Sequence, residues 1–227
     1  MDDLATRLAD VDARIADAAR AAGRDAAEIT RIVVTKFHPA ALVADLNRLG
    51  VRDVGENRQQ ELTAKKEELG ALTDLRWHFI GQAQTKKARA IRAAASIVHS
   101  VDRERLADAL DGAGEGDVLD MLLQVNLTDD PGRGGVAPAD LESLAEHVVS
   151  GCRTLRVRGV MAVAPLDEPA ASAFERLAGY SQRLRSVVPD ADWISAGMTA
   201  DFVEAIAAGA THLRIGSAIT GERPPHI

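Results

Sequence analysis

The feature that most constrains this chain is an eightfold alternation of short apolar runs with longer stretches of helical periodicity. An opening helix is expected over residues 3–22, where Leu4, Leu8, Val11 and Ile15 recur at helical spacing and Gly23 ends the pattern. The apolar runs then fall at residues 32–34, 51–54, 77–80, 97–98, 118–127, 155–161, 192–195 and 211–215. Between them lie helical patterns at 39–50, from Asn57 to Gly70, and at 84–92, 138–150, 170–187 and 199–208. The fifth run is the most continuously apolar, as a strand buried on both faces requires. Short connections between strand and helix favour a closed parallel sheet over an open one. The expectation is α/β: one (β/α)8 TIM barrel with an extra N-terminal helix. No linker, low-complexity segment or charge block divides the chain, so residues 1–227 read as one domain. The 227 residues are few for such a barrel but inside its usual range, and enough for one core.

Aromatic residues are 3% of the chain, so Ala, Val, Leu and Ile must fill that core. The net charge of -7 excludes a polyanion such as nucleic acid as the natural partner. It leaves a small phosphate open, because local geometry captures that group. Met1-Asp2-Asp3 lacks the basic start of a secretory signal, and no run reaches the ~20 apolar residues of a membrane span. Cys152 is the only cysteine and fits a reducing compartment. A cytoplasmic monomer is expected.

Functional groups of such a barrel sit at the C-terminal ends of the strands, and phosphate commonly binds after strands seven and eight. Those positions supply Lys36, Asn57, His78, Asn126, Met161, the stretch from Ser195 to Thr199, and the stretch from Arg214 to Ser217. Ser195-Ala196-Gly197-Met198-Thr199 leads into a helix with Thr199 as candidate N-cap, and Gly197 would let backbone approach an anion. Arg214-Ile215-Gly216-Ser217 adds a second such glycine and another hydroxyl. Either segment alone reads equally as a glycine turn with a helix cap; their pairing after adjacent strands favours a phosphate cup. Lys36 alone would read as a solvated amine, but at a strand end in the barrel mouth a desolvated lysine can attack a carbonyl. An amine and a phosphate cup together suggest a phosphorylated aldehyde, with pyridoxal phosphate the obvious case.

Two nucleotide-like patterns fail on context. Gly216 and Gly221 are spaced as in a P-loop, but Glu222-Arg223 stands where Lys-Ser/Thr is needed. Gly112, Gly114 and Gly116 precede a strand instead of following one. The six histidines show no metal spacing, so no metal is assigned. His78 faces either the core or the pocket rim.

Val33-Val34-Thr35-Lys36, Val54-Gly55-Glu56-Asn57 and Trp77-His78-Phe79-Ile80-Gly81-Gln82 resemble signature stretches of the pyridoxal phosphate homeostasis protein family. Ser100-Val101-Asp102, Gly159-Val160-Met161, Ser195 through Asp201 and Arg214 through Gly221 continue the match in order, over residues 3–223. The resemblance implies a fold-type III barrel like that of alanine racemase, with pyridoxal 5'-phosphate as an internal aldimine on Lys36. It implies a phosphate group held by Ser195, Gly197, Thr199, Gly216 and Ser217, Met198 among the cofactor-binding residues, and Arg214 at the pyridine nitrogen. Asn57, His78 and Met161 would line the ring pocket. Arg58, Lys86, Ala196 and Arg133 depart from the family pattern, which puts rim contacts in doubt but neither the aldimine nor the cup.

The resemblance implies a role in intracellular vitamin B6 homeostasis, with apoenzymes as recipients of the cofactor and no catalytic residue. The alternative is an amino-acid racemase of low activity. Racemisation needs a base on each face of the cofactor, and Tyr180, the only tyrosine, falls within a helix, away from the strand ends. An arginine at the pyridine nitrogen also weakens the ring as an electron sink. A third reading is a class I aldolase, in which Lys36 meets a phosphorylated sugar and no cofactor is needed.

Overall fold

Each apolar run becomes a strand of one parallel sheet that closes on itself, β1-β2-β3-β4-β5-β6-β7-β8. The computed structural model describes residues 2–130 and 132–222; Met1, Pro131 and residues 223–227, Arg223 of the P-loop-like pattern among them, lie outside the described residues. The strands are β1 (Thr30–Val34), β2 (Asp53–Glu56), β3 (Arg76–Phe79), β4 (Ile97–Val101), β5 (Leu119–Gln124), β6 (Leu155–Met161), β7 (Trp193–Ser195) and β8 (His212–Ile215). The helices are α1 (Asp2–Ala21), α2 (Ala40–Arg48), α3 (Gln59–Glu68), α4 (Ala88–Ala94), α5 (Glu104–Asp111), α6 (Leu141–Gly151), α7 (Ala170–Val187), α8 (Phe202–Ala207) and α9 (Ser217–Thr220). Closure is made by β1 on β8, in register from Thr30 opposite His212 to Val33 opposite Ile215.

Two layers of apolar side chains follow from the strand period of two. Val33, Val54, Val98, Met121 and Leu213 face outward into a large core shared with the helices. Ile97, Leu122 and Met161 form a separate small cluster with Trp193. Other interior positions are polar and fully or nearly buried: Asp53, His78, His99, Ser195, His212 and Arg214. α1 buries its predicted stripe, Leu4, Leu8, Val11 and Ile15. It packs on α8 and α9, and Arg7 Nε donates to the Ile219 carbonyl at 2.7 Å. No helix of the described residues is long and apolar enough to cross a membrane.

Several boundaries differ from expectation, and three of these elements show a local reason. Val51 does not start β2, because its N–H donates to Leu46 O at 3.0 Å and closes the turn after α2. The fifth run overshoots at both ends: Val118 is 56% exposed, and Val125 makes only an isolated bridge to Val136. α8 starts at Phe202, with Asp201 at the cap and not Thr199. Asp201 Oδ1 accepts the Met198 N–H at 2.6 Å and holds residues 198–201 as a turn.

Gly159 lets β6 lie against β7. Its φ is +156°, and an added Cβ would stand 1.8 Å from the Trp193 carbonyl oxygen. Gly159→Ala is expected to lower unfolding stability by about 1–3 kcal/mol, read from the urea midpoint. An unchanged midpoint would contradict the packing described.

Candidate functional site

β1 delivers Lys36 to the C-terminal mouth of the barrel, and α3 holds the turn that carries it. Lys65 Nζ donates to the Thr35 carbonyl at 2.8 Å and to Glu56 Oε1 at 2.6 Å. Thr35 Oγ1 donates to the same carboxylate oxygen at 2.6 Å. All three residues are buried. Burial pushes the Glu56 carboxyl above its ordinary pKa, and Lys65 and Thr35 pull it back only in part. One residue beyond Lys36, Phe37 has φ +68°, a conformation costing of order 1–3 kcal/mol for a bulky side chain. Its N–H donates to Glu61 Oε2 at 2.9 Å, and the Arg58 guanidinium lies 5.0 Å from its ring centroid. The lysine is therefore presented by a strained turn that α3 and its flank hold in place.

Opposite, β8 ends in a buried guanidinium. Arg214 Nη1 donates to Ser195 O (2.8 Å) and Ser195 Oγ (2.7 Å), and Nη2 donates to Ala162 O (2.8 Å). Burial pushes its pKa down to about 10, which leaves it cationic at neutral pH. Gly216 and Ser217 follow at the start of α9.

Between these walls lies a cavity of about 360 Å³, within the range of small-molecule sites. Among the predicted residues it is lined by Lys36, Asn57, Met198, Thr199, Arg214, Gly216 and Ser217. Asn57 Oδ1 is buried without a hydrogen-bond partner. An added Cβ at Gly216 would find its nearest neighbours at 3.7 and 3.9 Å, ordinary contact distances. That glycine leaves the wall open.

Four predicted residues sit outside the lining of this cavity. Ser195 is fully buried beneath the cavity, with Oγ taken by Arg214 and His99. Gly197, at φ +89°, is required by packing: an added Cβ would meet Ala205 Cβ at 2.7 Å and Phe202 Cα at 3.0 Å. Met161 packs on Ile97 and Leu122. His78 is fully buried, with Nε2 2.8 Å from Asp53 Oδ1 and Nδ1 2.9 Å from His99 Nε2. Of its two expected positions, the structure places it in the core.

Sequence reasoning missed His38, Thr220 and Gly221, which also line the cavity. His38 carried a signal, since it stands two residues past Lys36 in the same turn. Asn126 and Arg133 belong to a different cavity on the loops after β5 and β6. Tyr180 lines it too, so it lies nearer those strand ends than its mid-helix position suggested. On the outer helices, Asp108, His147 and Cys152 bring potential metal-ligand atoms within 4.8 Å of one another, a grouping their sequence spacing hid. His147 Nε2 is engaged by Asp108 Oδ1 at 2.7 Å, and burial pushes the Cys152 thiol up to about 11. These features favour a hydrogen-bonded surface group there.

The family model described as alanine racemase, N-terminal domain, matches residues 7–224. The pyridoxal phosphate homeostasis protein of Pseudomonas aeruginosa is 42% identical over 229 residues, spanning 98% of this chain and 97% of the relative. That of Escherichia coli K12 is 38% identical over 231 residues, spanning 98% of each. Among solved structures, PipY of Synechococcus elongatus PCC7942 with PLP bound is 34% identical, with a TM-score of 0.84 over 96% of this chain and 100% of that one. Alanine racemase from Corynebacterium glutamicum shares the fold at 13% identity, with a TM-score of 0.72 over 98% of this chain and 61% of the enzyme.

Lys65→Met removes one partner of a buried pair and strands the Glu56 carboxylate. It is expected to cost about 3–5 kcal/mol at neutral pH, measured by chemical denaturation. Because burial already raises the Glu56 pKa, the deficit should shrink as pH falls and the stranded carboxyl takes up a proton. A deficit below about 1 kcal/mol, the range of exposed ion pairs, would contradict the buried pair.

Proposed function

The chain belongs to the alanine racemase N-terminal domain family and, within it, with the pyridoxal phosphate homeostasis proteins; on that premise we propose that it binds pyridoxal 5'-phosphate in the Lys36 cavity and serves vitamin B6 homeostasis. The observation that carries this reading is one cavity with a primary amine on one wall and Thr199, Gly216 and Ser217 on another. The ligand supplies an aldehyde that condenses with a primary amine, and Lys36 is the lysine that lines the cavity. Gly216 leaves room for a phosphate, and the Thr199 and Ser217 hydroxyls can donate to it at about 1.5–3 kcal/mol per bond. Asn57 lines the same cavity and can contact the ligand. Arg214 faces the cavity as a cation whose hydrogen bonds hold its guanidinium plane, and it does not release a proton to a ring nitrogen in the neutral range.

Holding the ligand is favoured over turnover. A racemase needs a second acid/base group opposite Lys36, and Tyr180 lines the other cavity. His78 is engaged in the core. The imidazole that reaches the cavity is His38, which comes from the same turn as Lys36. We further propose a cytoplasmic monomer that passes the cofactor to apoenzymes, with buried, unpaired Cys152 fitting a reducing compartment.

Added pyridoxal phosphate is expected to produce a long-wavelength absorption band that Lys36→Ala abolishes. A full band in the variant would reject the site. Gly216→Asp should weaken binding of pyridoxal phosphate much more than of unphosphorylated pyridoxal, because the carboxylate repels the phosphate while an added Cβ makes only ordinary contacts. Equal losses would remove Gly216 from the cup. Racemisation, transamination and decarboxylation should stay at trace level with ligand loaded. A steady-state turnover above about 1 per second, lost in His38→Ala, would instead establish an enzyme.

A further inference from the structure

A continuous line of side-chain hydrogen bonds crosses the barrel interior beneath the cavity. Arg214 Nη1 meets Ser195 Oγ at 2.7 Å, Ser195 Oγ meets His99 Nδ1 at 2.9 Å, His99 Nε2 meets His78 Nδ1 at 2.9 Å, and His78 Nε2 meets Asp53 Oδ1 at 2.8 Å. It joins five strands, β8, β7, β4, β3 and β2, and every residue in it is buried. Asp53 also accepts from Arg76 Nη2 at 2.6 Å. The far end borders a second opening, lined by Asp53, Arg76, His78 and His212 among others.

The two ends of this line are chemically unlike. A guanidinium can only donate, and a carboxylate can only accept. Ser195 Oγ accepts from Arg214, so its own proton is available to His99 Nδ1. His99 Nδ1 is then bare, and the proton on His99 Nε2 points at His78. His78 Nδ1 accepts that proton, and the proton on His78 Nε2 points at Asp53. With both rings neutral, this direction alone gives every link one donor and one acceptor. The reverse direction sets a bare His78 Nε2 against the carboxylate unless that ring becomes a cation. Burial disfavours the cation at both rings, most strongly at His99, where neighbouring His78, His212 and Arg214 add to the effect.

We propose that Asp53, at the opposite end of the barrel from the cavity, is a positioning residue for Arg214, acting through His78, His99 and Ser195 as a one-way hydrogen-bonded chain. The direct acceptors of Arg214 are neutral: two carbonyls and a hydroxyl. A buried cation so placed is costly without compensation. Asp201 supplies part of it through space, and aligned donors ending on a carboxylate add to it, since bonds in such chains strengthen one another. The guanidinium that faces the cavity is thus oriented through a carboxylate that does not touch it. This chain follows from the protein alone; its consequence for a bound ligand rests on the function proposed above.

Two measurements test it separately. In ligand-free protein labelled with ¹⁵N-histidine, with signals assigned through single-histidine variants, His78 and His99 are both expected neutral with the proton on Nε2. Asp53→Asn should turn both into tautomer mixtures, since an amide can donate or accept. A proton on Nδ1 of His99 in the unsubstituted protein would overturn the chain's direction, and so would unchanged tautomers in Asp53→Asn. In protein loaded with pyridoxal phosphate, both Asp53→Asn and Ser195→Ala should shift the absorption maximum, with Ser195→Ala leaving the His78 tautomer intact. If Asp53→Asn fails to fold, Ser195→Ala alone decides this arm. An unshifted maximum in every folded variant would overturn the reach to Arg214. Absence of any band in the unsubstituted protein would instead reject the proposed function, and the tautomers would still decide the chain.

Discussion

The hydrogen-bonded seam between β1 and β8 is the constraint on which the rest of the structure depends. Val33 stands opposite Ile215, so the residues that follow on the two strands enter the same mouth. Lys36 comes three residues past Val33, and Gly216 and Ser217 come one and two past Ile215. Positions far apart in the chain thereby become the two walls of one cavity. In an open sheet of the same strands, β1 and β8 would not meet, and the amine and the hydroxyls would line separate edges. Parallel order matters as much as closure, because it puts the C-terminal end of every strand on one face.

The charged groups are distributed in a way that serves presentation more than stability. A buried ion pair is weak evidence for stability, since desolvation offsets most of the attraction. Glu56 and Lys65 instead clamp the Thr35 carbonyl and hydroxyl, the last point before Lys36 leaves the strand. Arg214 is treated similarly, with three fixed acceptors holding a guanidinium that faces the cavity. The positive φ of Phe37 completes the pattern. Strain beside the lysine is held by contacts from α3, so local cost and site geometry share one cause.

Much of this was legible in the sequence, and the parts that were not have physical reasons. The strand period and the helix stripes gave α1, α7, β6 and the barrel itself, because a parallel strand covered on both faces has few alternatives to a continuous apolar run. Lys36, Thr199, Gly216 and Ser217 could be read from their place at strand ends. The packing role of Gly197 could not be read, because one residue type serves both close ligand approach and close helix packing, and the contacts with Ala205 and Phe202 appear only in the fold. Thr199 looked like a cap because the turn made by Asp201 and the Met198 N–H is invisible to periodicity. The roles of His78 and Ser195 depend on His99, a partner 21 and 96 positions away respectively, which no local pattern encodes.

The central claim is that Lys36, of the five lysines in the chain, is the amine that meets the ligand. Reducing the protein with borohydride after loading with pyridoxal phosphate, then mapping the modified peptide by mass spectrometry, tests this most directly. Stoichiometric modification confined to the peptide bearing Lys36 is the predicted result. A label on Lys65, Lys66, Lys86 or Lys87 with Lys36 unmodified would contradict the account.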